Sequence, residues 1–187
     1  MPPQTLPRRE QILATAADLF AARGFHGVSV TEIGAACGIS GPALYKHFTG
    51  KDAILAEMLV SISERLLETG RARSKSAADA HAAVAALIDW HVDFALTHRA
   101  LIVVQDRDWE QLPDQARERV RTLQRQYVDV WAARLREVHG DLSLAQARAM
   151  AHAAFGLINS TPHSGLLPDE GMRVLLTRMA AGALGVQ

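Results

Sequence analysis

With 187 residues and 49% hydrophobic side chains, the chain has enough apolar material for a sizeable core, which excludes a disordered polypeptide. Its 20 Lys and Arg balance 20 Asp and Glu, so the chain as a whole is no polyanion binder. Any nucleic-acid surface must come from local charge placement. A single cysteine, Cys37, excludes an internal disulfide and gives no zinc ligand set.

Aromatics make up only 5%, while Ala and Leu are abundant, so the expected class is all-α. The N-terminal MPPQTLPRREQ has no apolar h-region, and no apolar run approaches the ~18–20 residues that span a bilayer. A cytoplasmic protein without membrane contact is expected.

In chain order, residues 1–7 hold three prolines and read as a flexible arm. From Arg8 to Arg23, Ile12, Ala16, Leu19 and Phe20 recur at helical spacing, and Gly24 supplies a stop. Ser29 or Thr31 caps a second helix over TEIGAACG, and Ser29 with Glu32 fits the capping-box pattern. Ser40 caps a third, with Gly41 and Pro42 in its first turn, ending at Phe48. A fourth is capped by Thr49 and runs to about Gly70.

The second and third helices are too short to hold in water, below the ~12–15 residues where isolated helices become stable. They must dock through Val28, Val30, Ile33, Ala36, Ile39, Leu44 and Phe48 against Ile12, Leu19 and Phe20.

RARSKSAADAH reads as a polar, basic hinge. Residues 79–98 form a long helix with Val84, Leu87, Ile88, His91, Phe94 and Ala95 near one face. A break and a short apolar helix follow, and Pro113 starts the next long one, striped by Val120, Leu123, Tyr127, Val130, Trp131 and Val138. Ser143 caps another, carrying Ala147, Met150, Ala151, Ala154, Phe155 and Ile158. STPHSGLLPDEG reads as a loop, and residues 169–184 as a last helix with Met172, Leu175, Leu176 and Met179. The expectation is about nine helices: a three-helix head, a connector, and a larger bundle.

Two short helices joined by Gly-Ile-Ser, the second opening on Ser40-Gly41-Pro42-Ala43, fit a helix-turn-helix. Small residues at the start of the second helix let its backbone approach base edges. Donors nearby fix register on phosphates. Gly41, Pro42 and Ala43 are the small residues; Tyr45, Lys46 and His47 are the donors. Lys51 adds charge at the start of the next helix.

ILATAADLFAARGFHGVSVTEIGAACGISGPALYKHFTGKDAIL resembles the DNA-binding domain of the TetR family of repressors. The matching elements are Leu19-Phe20 before the Arg23-Gly24-Phe25 turn, Thr31 with Ile33, the Ala36–Gly38 turn, and Tyr45, His47, Phe48 and Lys51. The resemblance implies a homodimer with a DNA-binding domain at 8–55 and a ligand-binding and dimerisation domain at 56–187. It implies that a small effector releases the repressor from a palindromic double-stranded operator. It also implies that the third helix reads the major groove and that Tyr45, His47 and Lys51 contact phosphates, with Ser29 or Thr31 contributing. An activator of the same family, or a ligand-binding bundle without DNA function, stays open as an alternative.

Plainer readings stand beside these. Lys46 and Lys51 also read as solvated charges, Tyr45 as a core aromatic, and His47 as packing beside Phe48. Cys37 at the tight turn reads as a buried packing residue. Arg8 and Arg9 read equally as an arm reaching DNA or as an inert terminus. Through residue 51, Arg8, Arg9, Arg23, Lys46 and Lys51 face only Glu10, Asp18 and Glu32, so affinity would depend on a dimer presenting two such surfaces.

No metal site and no cofactor are expected, because scattered helical histidines such as His91, His98, His152 and His163 lack ligand spacing. An enzyme is not expected either, since no nucleophile elbow, phosphate loop or His-Glu-x-x-His occurs.

The candidates for an effector pocket are Trp90, His91, Phe94, Trp109, Tyr127, Trp131, Phe155 and Asn159. Arg107, Arg117, Arg119, Arg121 and Arg125 near these aromatics are reminiscent of family members that respond to acyl-CoA or other lipid-like acids. A solvated face laced with Glu/Arg pairs is the competing reading. The last two long helices, rich in small and apolar residues, are expected to pair with their copies in a four-helix dimer interface.

Overall fold

The structure, a computed structural model, describes residues 7–186, so the expected arm lies outside the described residues except for Pro7. Nine α-helices and two short 3-10 turns make up the described secondary structure, with no strand among them. The chain up to Ser61 together with Ala100–Arg119 forms one compact unit, and Ile62–Arg99 with Val120–Gln187 forms the other.

In the first unit, α1 (Arg8–Arg23) buries Ile12, Ala16, Ala17 and Phe20. It stops at Gly24, whose φ of 79° is open to glycine and whose N–H donates to Phe20 O at 2.7 Å. Helix α2 (Val30–Ala36) starts with the expected capping box. Ser29 Oγ accepts from the Glu32 N–H, and Glu32 Oε2 accepts from the Ser29 N–H at 2.8 Å. Helix α3 (Gly41–Tyr45) is capped by Ser40, whose hydroxyl accepts from the Ala43 N–H at 3.4 Å. It is shorter than the sequence implies, ending before His47 and Phe48.

These helices do dock as their length demands. Ile12, Phe20, Val28, Ile33, Leu44 and Phe48 are all within 3% of full burial. Leu19, Val30 and Ile39 are half-buried, whereas Ala36 is exposed at the end of α2. Cys37 is half-buried rather than packed away.

Helix α6 (Arg99–Asp108) locks onto α1 within this unit. The Arg107 guanidinium donates to the carbonyls of Phe20 and Ala21 at the end of α1, and to the Asp108 carboxylate. Those carbonyls carry the negative end of the helix dipole, so a cation there is favourable. Asp108 is buried, and its Oδ1 also accepts from the Phe25 N–H at 3.4 Å.

Helix α4 (Lys51–Ser76) runs past the expected hinge, because nothing from Arg71 to Ser76 breaks a helix. Gly70 sits inside it for a packing reason: a Cβ there would lie 2.6 Å from Tyr127 Cε2.

The second unit is built on α5 (Ala80–Thr97), which buries Ala83, Val84, Leu87, Ile88, His91 and Phe94, among others. It packs on α8 (Leu144–Ile158) and α9 (Asp169–Leu184), beside α7 (Asp114–Val138). Ser143 caps α8 with Gln146 completing a second capping box, and the bounds of α9 match the sequence reading. Part of the expected loop after α8 forms a 3-10 turn, Thr161–His163, whose Thr161 hydroxyl donates to Ala95 O at 2.8 Å.

Candidate nucleic-acid interface and effector cluster

The helix-turn-helix sets its side chains by capping and burial. Leu44 points inward with no exposure, so Tyr45 next to it turns out and is 57% exposed. Pro42 and Lys46 are exposed alongside it, and Gly41, Ala43 and His47 are half-exposed. Gly38, at φ 67°, makes the turn that lets α3 leave α2. Ser29, Thr31 and Ser40 are exposed at the helix starts. All ten candidate DNA-binding residues therefore lie in one compact unit with part of their surface open.

Several of these groups already have partners. The Ser29 hydroxyl donates to Glu32 Oε2 at 2.7 Å. Those bonds, with Arg23 on the far oxygen at 2.7 Å, pull the Glu32 carboxyl down to about 2. Lys51 Nζ donates to the carbonyls of Phe25 and Val28 at 2.7 and 3.0 Å, and lies 4.4 Å from the Phe25 ring centroid. Its first role is thus to close the turn between α1 and α2, which competes with a phosphate contact.

Arg8 and Arg9 are exposed but bond back to the fold as well. Arg8 donates to Cys37 O at 3.1 Å, capping the end of α2. Arg9 pairs with Glu57, donates to His47 O, and lies 4.2 Å from the Phe48 centroid. The sequence offered no sign of these contacts, which join residues 29 to 48 positions apart.

In the second unit, six of the eight pocket candidates converge. The Phe155 ring stacks on His91 at 4.5 Å and on Tyr127 at 5.4 Å, and meets Trp131 edge-on at 5.0 Å. Phe94 lies 5.7 Å from His91. His91 Nε2 lies 3.2 Å from Asn159 Oδ1, and Nδ1 lies 3.4 Å from the Tyr127 hydroxyl.

An amide oxygen only accepts, so Nε2 donates to Asn159 and Nδ1 accepts from Tyr127. Burial pushes His91 down to about 4, against the opposing bond to Asn159, so the ring is neutral at neutral pH. Burial raises the Tyr127 hydroxyl. The buried Trp131 indole N–H makes no close hydrogen bond among the described residues, and its polar neighbour is the Tyr127 hydroxyl.

Two candidates stand outside this cluster. Trp90 donates its indole N–H to Leu66 O at 3.3 Å and carries the Arg73 guanidinium 5.2 Å from its ring. Trp109 belongs to the 3-10 turn Trp109–Gln111, in the other compact unit.

Residues 12–58 match the family model for bacterial regulatory proteins of the tetR family, and residues 77–163 match the tetracyclin repressor-like C-terminal domain. The chain belongs to the TetR family. It is 33% identical over 100 residues to the transcriptional repressor KstR2 of Rhodococcus jostii, covering 53% of this chain and 49% of that one. The matched stretch thus spans about half of that relative's length.

Its fold follows the crystal structure of a TetR-family regulator from Bordetella parapertussis, with a TM-score of 0.84 and 24% identity over 96% of this chain and 95% of that one. It also follows FadR of Bacillus subtilis, solved with stearoyl-CoA, at a TM-score of 0.73 and 20% identity, covering 94% and 95%. At these identities the two structures speak for the fold. Among the described residues, no helix is long and apolar enough to cross a membrane.

Proposed function

We propose that this TetR-family chain is a transcriptional regulator, acting as a homodimeric repressor that a small molecule releases from a palindromic operator. The observation that carries this is the helix-turn-helix: α3 starts on Ser40, Gly41, Pro42 and Ala43 and presents exposed Tyr45 and Lys46 over a fully buried Leu44. Small residues at the helix start suit close approach to base edges, and the donors beside them suit phosphates. Residues 8–55 would serve DNA and residues 56–187 the effector and the partner copy. The action belongs in the cytoplasm, where the DNA is.

The dimer reading is supported by the apolar side chains that α8 and α9 leave exposed. Leu144, Val174 and Met179 are 42%, 59% and 47% exposed, alongside exposed Ala149, Ala153 and Gly182. Pairing these helices with their copies would bury them in an isologous interface.

The effector reading rests on the aromatic cluster around His91, where a neutral histidine held by Asn159 and Tyr127 sits in an apolar setting. An acyl-CoA or similar lipid-like acid is the ligand class we favour, since FadR of Bacillus subtilis, which shares the fold, was solved with stearoyl-CoA.

The test is release of the protein from its operator. Acyl-CoAs of graded chain length are titrated into the protein–DNA complex, and loss of the complex by one length range is expected. Release by none of them would reject the acyl-CoA class, and an intact complex with every apolar acid tried would reject effector control.

A further inference from the structure

A groove of about 540 Å³ lies along α7 and α8, on the second unit alone. That volume falls within the ~300–1,000 Å³ of small-molecule sites. Arg121 and Arg125 from α7 line it together with Arg148 and His152 from α8. One carboxylate, Asp129, shares the lining. Asp129 holds Arg148 Nε at 2.7 Å, which orients that guanidinium instead of leaving it to wander. Arg125 donates to Thr122 Oγ1 at 3.2 Å, a second tether. Three arginines thus share one concavity in a chain whose overall charge is zero.

The groove has an apolar neighbour. The His152 ring, in its lining, lies edge-on to Phe155 with centroids 6.3 Å apart. Phe155 is only half-buried, and its face stacks on His91 and Tyr127 in the aromatic cluster. Phe155 thus joins the groove's lining to that cluster through His152.

We propose that the α7–α8 groove is an anion-binding site for the phosphate groups of an amphiphilic ligand, with Arg121, Arg125 and Arg148 as the phosphate contacts. Guanidinium suits this task because its planar fork meets phosphate oxygens in pairs. The assignment deepens the effector reading and rests on it for the apolar half of the ligand. The phosphate contacts stand on the groove itself.

The test is calorimetric titration of the full-length protein with coenzyme A, one long-chain acyl-CoA and inorganic pyrophosphate, at low and high salt. The variants are Arg121→Gln, Arg125→Gln, their double, and Lys75→Gln as a control on α4. The expected result is coenzyme A binding that weakens with salt and falls about tenfold or more in the double variant, the scale of removing one charge-assisted hydrogen bond. Lys75→Gln leaves it unchanged, Arg125→Lys restores it only in part, and the acyl chain adds affinity.

Pyrophosphate binding as tightly as coenzyme A would show a site for free phosphate and overturn the amphiphile. No binding of either anion, or equal binding by the double variant, would overturn the site. A double variant that elutes as a monomer would show instead that the groove seats a second copy. DNA release is read separately: coenzyme A that binds the groove yet leaves the operator complex intact keeps the site and refutes effector control.

Discussion

The ring of Tyr127 lies so close to Gly70 that a Cβ on that glycine would sit 2.6 Å from Cε2. The ring cannot easily give way, since it is 4% exposed and packs against Phe155, His91 and Trp131. Gly70→Ala gains up to ~1 kcal/mol of helix propensity but forces overpacking that costs ~1–3 kcal/mol. With a ring this confined the second term wins, and we expect a net loss of up to about 3 kcal/mol in urea unfolding. A gain in stability would mean that the Gly70–Tyr127 approach is loose.

Exposed Tyr45 and Lys46 separate DNA binding from folding. Lys46→Ala is expected to leave the unfolding temperature unchanged and to reduce the slope of log affinity against log salt by about 2, one phosphate for each chain of the dimer. Tyr45→Phe removes the hydroxyl alone, and its affinity should fall without any change in stability. Anisotropy titrations at several salt concentrations read both.

Lys51 behaves differently because its ammonium ties down the carbonyls of Phe25 and Val28. Lys51→Met is expected to destabilise the protein by about 1–3 kcal/mol, the range for bonds from a charged donor at a half-buried site. DNA affinity should fall along with it. A variant that loses DNA binding at full stability would make Lys51 a phosphate ligand alone.

Arg9 is held by Glu57, the His47 carbonyl and the Phe48 ring. The ion pair is partly solvated, with 46% and 33% of the two side chains exposed, so Arg9→Ala should cost only about 1 kcal/mol. Its salt slope for DNA should match the parent. A slope reduced by about 2, one phosphate for each chain of the dimer, would place Arg9 on the operator.

His91 makes stability depend on pH. Its folded pKa is lowered to about 4 from an ordinary 6.5, so below 6.5 the unfolded chain takes a proton that the folded one refuses. The stabilisation is complete above pH 6.5 and drains away as pH falls to 4, about 3 kcal/mol in all. His98, also lowered by burial, adds in the same direction. Glu32 acts lower: its stabilising bonds are lost as pH falls from 4.5 towards 2. His91→Gln should therefore flatten the profile between pH 6.5 and 4 while leaving the acid limb, as urea midpoints would show.

Local chemistry made much of this fold legible. Ser29 with Glu32, Ser40 before Gly41-Pro42, and Ser143 all cap where the sequence implies. The stripe on α5 is buried from Val84 to Ala95. The sequence misled where a distant partner decides. Gly70 reads as a stop but is a close approach to Tyr127, far along the chain.

Arg107 and Asp108 grip the end of α1, and the guanidinium reaches across 86 or 87 positions that no local pattern links. In the candidate site, the outward turn of Tyr45 follows from the buried Leu44, so it was readable. The partners of Lys51 and Arg9 were not, because backbone carbonyls leave no trace in residue identity. Of the pocket candidates, the aromatics on α5, α7 and α8 meet, while Trp90 turns to Leu66 O and Arg73.

The most direct measurement is fluorescence anisotropy of the protein on the DNA flanking its own gene, titrated with salt. A homodimeric repressor gives a specific complex of two chains per site whose affinity falls steeply as salt rises, and that is the expected result. Weak binding indifferent to sequence, at one chain per site, would contradict it.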